Sequence, residues 1–211
     1  MSGAQPALAG LYAITDGSLT PGTKLAPAVE AAIRGGARQV QYRDKSTDTQ
    51  RRRQEARMLM ELCRDHGAGF IVNDDVELAL ESGADGIHLG RDDAALATAR
   101  VRLGPRALIG VSCYDSLERA VAAAHAGADY VAFGSFFASD TKPGAVRAPL
   151  ALLAEARREL GIPVCAIGGI TPENGAALLR AGAHMLAVIR GVFAEKDVRT
   201  AAESYAQLFK P

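Results

Sequence analysis

Residues 76–90, VELALESGADGIHLG, contain one complete step of the fold. Residues 76–81 have the alanine- and leucine-rich amphipathic pattern of a helix, and residues 86–89 form a short apolar run that is typical of a strand. Gly83 stands between them, where glycine ends a helix in a left-handed conformation that other residues adopt only at a cost. The stretch therefore predicts a helix, a tight turn and a strand in succession.

The same step recurs along the chain. Glycines at positions 36, 83, 127 and 182 are 47, 44 and 55 residues apart, and each stands just before a predicted strand. The four motifs are Gly35-Gly36-Ala37, Gly83-Ala84-Asp85, Gly127-Ala128-Asp129 and Gly182-Ala183-His184. We interpret these glycines as helix ends at the bottom of a repeated β/α unit.

Strands and helices alternate from end to end. The predicted strands are residues 11–15, 39–43, 70–73, 86–89, 108–112, 130–134, 163–167 and 185–189. The predicted helices are residues 26–34, 50–65, 76–81, 94–101, 117–124, 149–160, 172–180 and 198–208. Eight pairs give roughly 26 residues per unit, the compact limit of this architecture. We predict an α/β fold, a single-domain (β/α)8 TIM barrel over residues 1–211; an open doubly wound sheet is the alternative.

The composition excludes several classes of protein. With 24 basic and 24 acidic side chains the net charge is zero, which argues against a general nucleic-acid binder. We expect neither a membrane span nor a signal peptide, because the chain lacks a long apolar run and a basic start followed by one. Three widely spaced cysteines predict buried thiols in the cytoplasm. We expect small-molecule partners, and the sequence leaves a homo-oligomer open.

Polar residues follow the second predicted strand, at the end of a barrel where active sites lie. Side chains alternate across a strand, so Gln41, Arg43 and Lys45 are predicted to share one face. An amide and two cations in a row are costly without an anionic partner. The row predicts a phosphate site, because Arg and Lys both bind phosphate oxygens; ion pairs with barrel carboxylates are the alternative.

Carboxylates follow the third and fourth predicted strands. Asp74 and one of Asp92 or Asp93 come from neighbouring strand ends and could share a cation. Magnesium takes one or two protein carboxylates and completes its shell with water and phosphate oxygens. We therefore predict a Mg²⁺ site. The alternative for Asp92, Asp93 and Asp75 is an N-cap of the following helix.

The later strand ends add hydroxyls and glycines. Ser112 lacks the elbow motif of a nucleophile, so we predict a hydrogen-bonding role. The loop of residues 135–144 combines hydroxyls with Lys142, one of only five lysines, and predicts a phosphate contact or a gate; a solvated surface loop is the alternative. Gly168 and Gly169, with the turn at residues 189–191, predict the usual phosphate site of this fold.

Taken together, these residues imply two phosphorylated groups. A cation shared by carboxylates suggests a diphosphate, and no water-activating base stands out, which favours a diphosphate leaving group over hydrolysis. The four histidines include no pair with metal-ligand spacing. We predict no catalytic role for any of them, including His88 within strand four.

The chain resembles the thiamine phosphate synthase family over nearly its whole length. The resemblance rests on short motifs whose order, one at the end of each successive strand, is more specific than any one of them. They are Tyr12-Ala-Ile-Thr-Asp16, Gln41-Tyr-Arg-Asp-Lys45, Val72-Asn-Asp-Asp75, Gly86-Ile-His-Leu-Gly90 with Asp93, Gly110-Val-Ser112, Thr141-Lys142 and Ile167-Gly-Gly-Ile170.

The resemblance implies a transferase. The family joins 4-amino-2-methyl-5-hydroxymethylpyrimidine diphosphate to 4-methyl-5-(2-phosphoethyl)thiazole, or its carboxylate, and releases diphosphate. The implied reaction is dissociative: the C–O bond breaks first, and the thiazole nitrogen attacks a pyrimidine methylene cation.

The resemblance also implies a set of roles. The implied contacts are Gln41, Arg43, Lys45, Asn73, Ser112 and Lys142 for the pyrimidine diphosphate, Asp74 and Asp93 for Mg²⁺, and Ser139, Asp140, Thr141, Gly168, Gly169, Ile189 and Arg190 for the thiazole phosphate. The implied catalytic residues are Arg43, Lys45, Ser112 and Lys142.

Two residues depart from the family pattern, and three other functions compete. Arg190 stands where the family often has serine, and Ser139 where threonine is common. A thiazole tautomerase resembles this family, but its pattern has a histidine at the end of strand six, where this chain has Ser135. Another phosphate-binding barrel enzyme, such as an epimerase or an aldolase, and a non-catalytic phosphate sensor are the remaining alternatives.

Overall fold

Eight parallel strands close into a barrel in the computed structural model, which describes residues 8–90, 93–138 and 146–210, apart from the side chains of residues 93–95. The strands are β1 (Gly10–Ile14), β2 (Ala37–Tyr42), β3 (Gly69–Asn73), β4 (Gly86–Leu89), β5 (Leu108–Tyr114), β6 (Tyr130–Phe133), β7 (Val164–Ile167) and β8 (Met185–Val188). Each strand pairs with the next, and β8 pairs with β1. The predicted TIM barrel is confirmed, and the open sheet is wrong because the two terminal strands pair.

Helices cover the outside of the barrel. They are α1 (Leu25–Arg34), α2 (Thr49–Asp65), α3 (Val76–Ser82), α4 (Asp93–Leu103), α5 (Leu117–His125), α6 (Ala151–Glu159), α7 (Pro172–Ala181), α8 (Arg190–Phe193) and α9 (Val198–Gln207). The sequence does not predict α8, because four residues are too few to show a helical period. In the described part of the chain, no helix is both long and apolar enough to cross a membrane.

Strand side chains alternate between two apolar regions. Tyr12 and Ile14 of β1 belong to a cluster inside the barrel, whereas Leu11 of the same strand packs in the larger cluster between strands and helices. A glycine makes room where a large ring crosses the inside: a Cβ added to Gly110 would lie 2.0 Å from the ring of Tyr130. The inside of the barrel is thus a packed core at these positions.

The repeated glycines lie at the opposite, lower end. Gly83 ends α3 in the left-handed conformation, with φ of +71°, as the sequence predicts. The N–H of Gly83 donates to the carbonyl of Leu80 at 3.2 Å, and the N–H of Ala84 donates to the carbonyl of Ala79 at 3.0 Å, so the chain turns directly into β4.

The third residue of three of the repeats makes a two-way contact with the preceding strand. Its backbone N–H donates to a carbonyl oxygen at 2.7–2.9 Å, and its side chain accepts the N–H of the same residue at 2.8–3.1 Å. The pairs are Asp85 with Phe70, Asp129 with Ile109, and His184 with Val164. We call these the strand-base contacts; they satisfy backbone groups at the lower ends of β3, β5 and β7.

Candidate active site

A cavity of about 1060 Å³ opens at the carboxyl ends of the strands. Residues at or just beyond the ends of all eight strands line it, and it extends outward between α7, α8 and α9. The lining includes most of the predicted site residues in the described part of the chain: Gln41, Arg43, Asn73, Ser112, Gly168, Gly169, Ile189 and Arg190. The topology therefore brings together side chains that are far apart in the sequence.

Arg43 lines the cavity directly after β2. Its backbone N–H donates to the hydroxyl of Thr15 at 3.0 Å, and its guanidinium lies 3.6 Å from the carboxylate of Asp16. Lys45 is exposed and does not contribute to the cavity wall. The reason is that β2 ends at Tyr42, so the alternation of side chains that we expected for Gln41, Arg43 and Lys45 does not extend to Lys45.

Asp16 holds a negative charge beside two arginines. Its carboxylate accepts hydrogen bonds from the hydroxyl and the backbone N–H of Ser18. These bonds, with the nearby charges of Arg43 and Arg190, lower the pKa of Asp16 below its usual value. A charged Asp16 attracts both guanidinium groups toward one side of the cavity. Arg43 can therefore form an ion pair with Asp16 and still bind an anion in the cavity.

Asp74 presents an exposed carboxylate between the ends of β3 and β4. Its backbone N–H donates to the carbonyl of His88 at 2.9 Å, and its Oδ2 accepts from the side-chain amide of Asn73 at 2.7 Å. The other oxygen faces the next strand end, because a Cβ added to Gly90 would lie 3.7 Å from it. Asp74 has a φ of +60°, a left-handed conformation that costs free energy in residues other than glycine.

Asp75 has the capping role that we considered for it. Its Oδ1 accepts the N–H of Leu78 at 3.0 Å at the start of α3, and its Oδ2 accepts from Arg52 at 2.8 Å. Both oxygens of Asp75 are thus bound within the protein, whereas Oδ1 of Asp74 has no hydrogen-bond partner among the described residues.

The carboxylate of Asp74 fits Mg²⁺. Within the described residues, no group of three His, Cys, Asp or Glu side chains could hold a metal by itself. Magnesium does not require one, because it takes only one or two protein carboxylates. Asp93 begins α4, but its side chain and all of Asp92 lie outside the described residues. Both metal ligands, Asp74 and Asp93, therefore stay predictions.

A chain of hydrogen bonds crosses the floor of the cavity. Gln41 Nε2 donates to the hydroxyl of Tyr12 at 2.7 Å, and the hydroxyls of Tyr12 and Tyr130 lie 2.9 Å apart. Tyr130 contacts Nδ1 of His88 at 3.0 Å, and Nε2 of His88 contacts the hydroxyl of Ser112 at 2.9 Å. Four hydrogen bonds thus connect the predicted site residues Gln41 and Ser112.

The middle of this chain is uncharged. Burial raises the pKa of Tyr12 and of Tyr130, and burial lowers the pKa of His88 to about 4. Sequence reasoning assigned no site role to these three residues. Their strand positions have the same inward parity as the site residues, which is the signal that could have indicated them.

Glycines shape the wall at the end of β7. A Cβ added to Gly169 would lie 2.3 Å from the carbonyl oxygen of Ala138, and one added to Gly168 would lie 2.0 Å from the hydroxyl of Ser135. Gly168 has a φ of +103° and Gly169 a φ of +63°. Both positions therefore require glycine, and the backbone itself forms this part of the wall.

The helices that follow β7 and β8 begin at the same wall. Thr171 caps α7 through its hydroxyl, and Asn174 returns a bond to the backbone N–H of Thr171 at 2.9 Å. Ile189 precedes α8, and Arg190 is its first residue. The loop residues Ser139, Asp140, Thr141 and Lys142 lie outside the described residues, so their predicted roles are untested.

Comparisons with known proteins point to one family. A family profile described as thiamine monophosphate synthase matches residues 11–192. The thiamine-phosphate synthase of Thioalkalivibrio sulfidiphilus (strain HL-EbGR7) is 56% identical over 203 residues, which cover 96% of either chain. That of Thiobacillus denitrificans (strain ATCC 25259 / T1) is 55% identical over 201 residues, or 95% of this chain and 94% of the relative.

A solved structure gives the same result. Thiamine phosphate pyrophosphorylase from Pyrococcus furiosus superposes with a TM-score of 0.84 at 37% identity, and the match covers 94% of each chain. Because the profile spans most of the sequence and relatives match nearly all of it at more than half identity, the chain belongs to the thiamine monophosphate synthase family.

Proposed function

We propose that the cavity binds a pyrimidine diphosphate and a thiazole phosphate side by side. As a family member the chain is a transferase that condenses these two substrates to thiamine phosphate and releases diphosphate. The observation that carries the placement is the division of the wall. Arg43 and the side-chain amides of Gln41 and Asn73 lie at the ends of β2 and β3, whereas paired glycines form the backbone wall at the end of β7, with Arg190 after β8.

The leaving diphosphate belongs to the charged side. Arg43, held by Thr15 and Asp16, offers N–H groups to phosphate oxygens, and Lys45 and Lys142 add positive charge. Asp74 and Asp93 would hold Mg²⁺, which would supply further positive charge against the charge that grows on the diphosphate. These groups act on the leaving group, which is where a dissociative reaction develops negative charge.

The pyrimidine lies against the amide and hydroxyl groups of the floor. Gln41, Asn73 and Ser112 all line the cavity, and each offers a hydrogen-bonding group rather than a charge. Uncharged partners suit a ring that becomes a methylene cation only after the C–O bond breaks. The attacking thiazole nitrogen uses a lone pair that it already has, so no proton has to be removed to form the nucleophile.

The thiazole phosphate belongs to the glycine side. Gly168, Gly169 and the turn at Ile189 and Arg190 line the cavity there, and Ser139, Asp140 and Thr141 complete the site from the loop. Arg190 stands near Asp16, whose charge attracts it. Arg190 lines the cavity on this side, and we propose that its guanidinium contacts the phosphate in place of the serine hydroxyl common in the family.

We further place the protein in the cytoplasm. All three cysteines, Cys63, Cys113 and Cys165, are buried as free thiols. Free thiols persist in a reducing compartment, which is the support for this location.

The test is synthesis by the purified protein. With Mg²⁺ and both substrates, we expect thiamine phosphate and diphosphate in equal amounts, and no product when either substrate is left out. Folded protein that forms no thiamine phosphate would contradict the proposal. Isomerisation of a thiazole carboxylate phosphate without diphosphate release would instead support the tautomerase, which the names of the relatives and Ser135 do not favour.

A further inference from the structure

The hydrogen-bond chain on the cavity floor has a direction. Tyr12 already accepts a hydrogen bond from Gln41 Nε2, and its own hydrogen has the hydroxyl of Tyr130 within 2.9 Å. If Tyr130 donated to Tyr12 instead, the hydrogen of the Tyr12 hydroxyl would be buried with no acceptor left in the hydrogen-bond chain, which costs free energy. Tyr12 therefore donates to Tyr130.

The direction continues to Ser112. Since the oxygen of Tyr130 accepts from Tyr12, its single hydrogen is available for Nδ1 of His88. A neutral imidazole that accepts at Nδ1 carries its hydrogen on Nε2, and Nε2 then donates to the hydroxyl oxygen of Ser112. The hydrogen of Ser112 is left to donate into the cavity, while Gln41 keeps its carbonyl Oε1 as an acceptor.

Packing restricts the rotamers of the side chains in the hydrogen-bond chain. The ring of Tyr130 packs on Gly110, where a Cβ would lie 2.0 Å from it. The rings of Tyr12 and Tyr130 meet edge to face with centroids 6.1 Å apart, and those of His88 and Tyr130 lie 5.6 Å apart. Tyr12 and Tyr130 are each only 1% exposed, so water does not compete for their hydroxyls.

We propose that Tyr12, Tyr130 and His88 are positioning residues that fix opposite hydrogen-bonding characters on Ser112, a donor, and Gln41, an acceptor. The two ends together recognise a ring that carries an acceptor nitrogen and a donor amino group, which is the pattern of an aminopyrimidine. This inference rests on the proposed function, which places the pyrimidine against Gln41 and Ser112. A 4-oxo pyrimidine reverses both characters: its carbonyl oxygen faces the acceptor oxygen of Gln41, and its ring N–H leaves the hydrogen of Ser112 without an acceptor.

The experiment compares the two rings in binding. Affinities for hydroxymethylpyrimidine diphosphate and its 4-oxo analogue are measured by calorimetry with Mg²⁺ and without the thiazole. For the wild-type protein we expect the amino form to bind at least about 1000-fold more tightly, because a site built for hydrogen bonds rejects a mismatched partner strongly. In Tyr130→Phe the two halves of the chain reorient independently, and the ratio should fall to about 10-fold or less.

A matched variant separates positioning from simple loss of a buried hydroxyl. Tyr42 is also a buried tyrosine, and its hydroxyl donates to Glu55 at 2.6 Å, but it does not belong to the hydrogen-bond chain on the cavity floor. Tyr42→Phe should leave the ratio at the wild-type value. If Tyr130→Phe does not fold, Tyr12→Phe interrupts the same chain one bond away. If Tyr130→Phe, or Tyr12→Phe in its place, folds and keeps the wild-type ratio of the two affinities, the inference is overturned.

A spectroscopic measurement tests the direction without any ligand. Nitrogen-15 NMR of the histidine side chains should show His88 as the Nε2–H tautomer in the wild-type protein and a change of tautomer in Tyr130→Phe. An Nδ1–H tautomer in the wild-type protein would overturn the inference even if both substrates react. Failure of both pyrimidines to bind the wild-type protein would instead overturn the proposed function, so the two failures are distinguishable.

Discussion

The two ends of the barrel use their polar residues in opposite ways. At the lower end, the carboxylate of Asp129 accepts the N–H of Ile109 at 2.8 Å and the guanidinium of Arg100 at 2.6 Å. At the upper end, Asp74 is exposed. Within the described residues, its carboxylate accepts a hydrogen bond only from the side-chain amide of the neighbouring Asn73. The same residue type thus binds the backbone and an arginine at one end and is exposed at the proposed site at the other, so substitutions at the two ends should separate stability from activity.

The largest effect is expected at the upper end. In Asp74→Asn the side chain keeps its shape and tolerates the left-handed backbone, but the negative charge that Mg²⁺ needs is lost. We expect turnover to fall by at least about 1000-fold, in the range seen when a transition-state charge partner is removed. Steady-state kinetics with a melting curve measures both effects. The matched control is Asp75→Asn, which should retain turnover; normal turnover in Asp74→Asn would remove the metal site.

A second pair of substitutions separates two cations after β2. Arg43 lines the cavity and is oriented by Asp16, whereas Lys45 is exposed. We expect Arg43→Ala to lower kcat/KM for the pyrimidine diphosphate by about 100-fold and Lys45→Ala by less than about 10-fold, because an oriented guanidinium binds phosphate in two-point fashion. Equal losses, or a larger loss for Lys45, would show that Lys45 moves into the site on binding.

At the lower end the effect should be on stability alone. Asp129→Ala leaves the N–H of Ile109 without its acceptor. It also removes the carboxylate that Arg100 binds, although the guanidinium keeps its bonds to three backbone carbonyls. We expect the free energy of unfolding to fall by about 2 kcal/mol, as for a buried donor that loses its partner. Urea unfolding measures this loss, and kcat per folded molecule should stay at the wild-type value. A loss of kcat in the folded variant would mean that the two ends are coupled.

The smallest effect concerns His184, the one histidine among the strand-base contacts. Partial burial and the nearby charge of Arg157 lower the pKa of His184 below its ordinary value of 6.5. The folded protein therefore binds a proton less readily than the unfolded chain, and the contribution of His184 to stability is lost as the pH falls below 6.5.

His184→Asp installs the residue type that two of the other repeats carry at this position. We expect a smaller loss of stability on going from about pH 7.5 to about pH 5.5, because a carboxylate accepts the N–H of Val164 without having to lose a proton in that range. Urea midpoints at the two pH values measure the difference. An identical pH dependence in the variant and the wild-type protein would contradict the assigned role of His184.

The sequence predicted the barrel and the end at which the cavity opens. Both follow from local signals, namely the alternation of strands and helices and the polar residues that come after each strand. The contact between Tyr12 and Tyr130 could not be predicted in this way, because 118 residues separate them and only closure of the barrel brings them together.

Two further details depend on where an element ends. The place of Lys45 depends on the last residue of β2, which side-chain alternation does not define to within one residue. The strand-base contacts depend on the distance from Asp85 to Phe70, which the Gly-Ala-Asp motif does not specify. The Gly-Ala-Asp motif predicted the turn before β4, and only the structure shows that Asp85 binds Phe70.

The strand-base contacts have a consequence for how the chain folds. Their partners are separated by only 15 or 20 residues, and each joins a strand to the one that follows it, β3 to β4, β5 to β6 and β7 to β8. Closing a loop of that length costs much less entropy than pairing β1 with β8, which joins the two ends of the chain. We therefore expect three local strand pairs to form early and the β1–β8 seam to form last, so the final barrier to folding lies in closing the barrel rather than in building its parts.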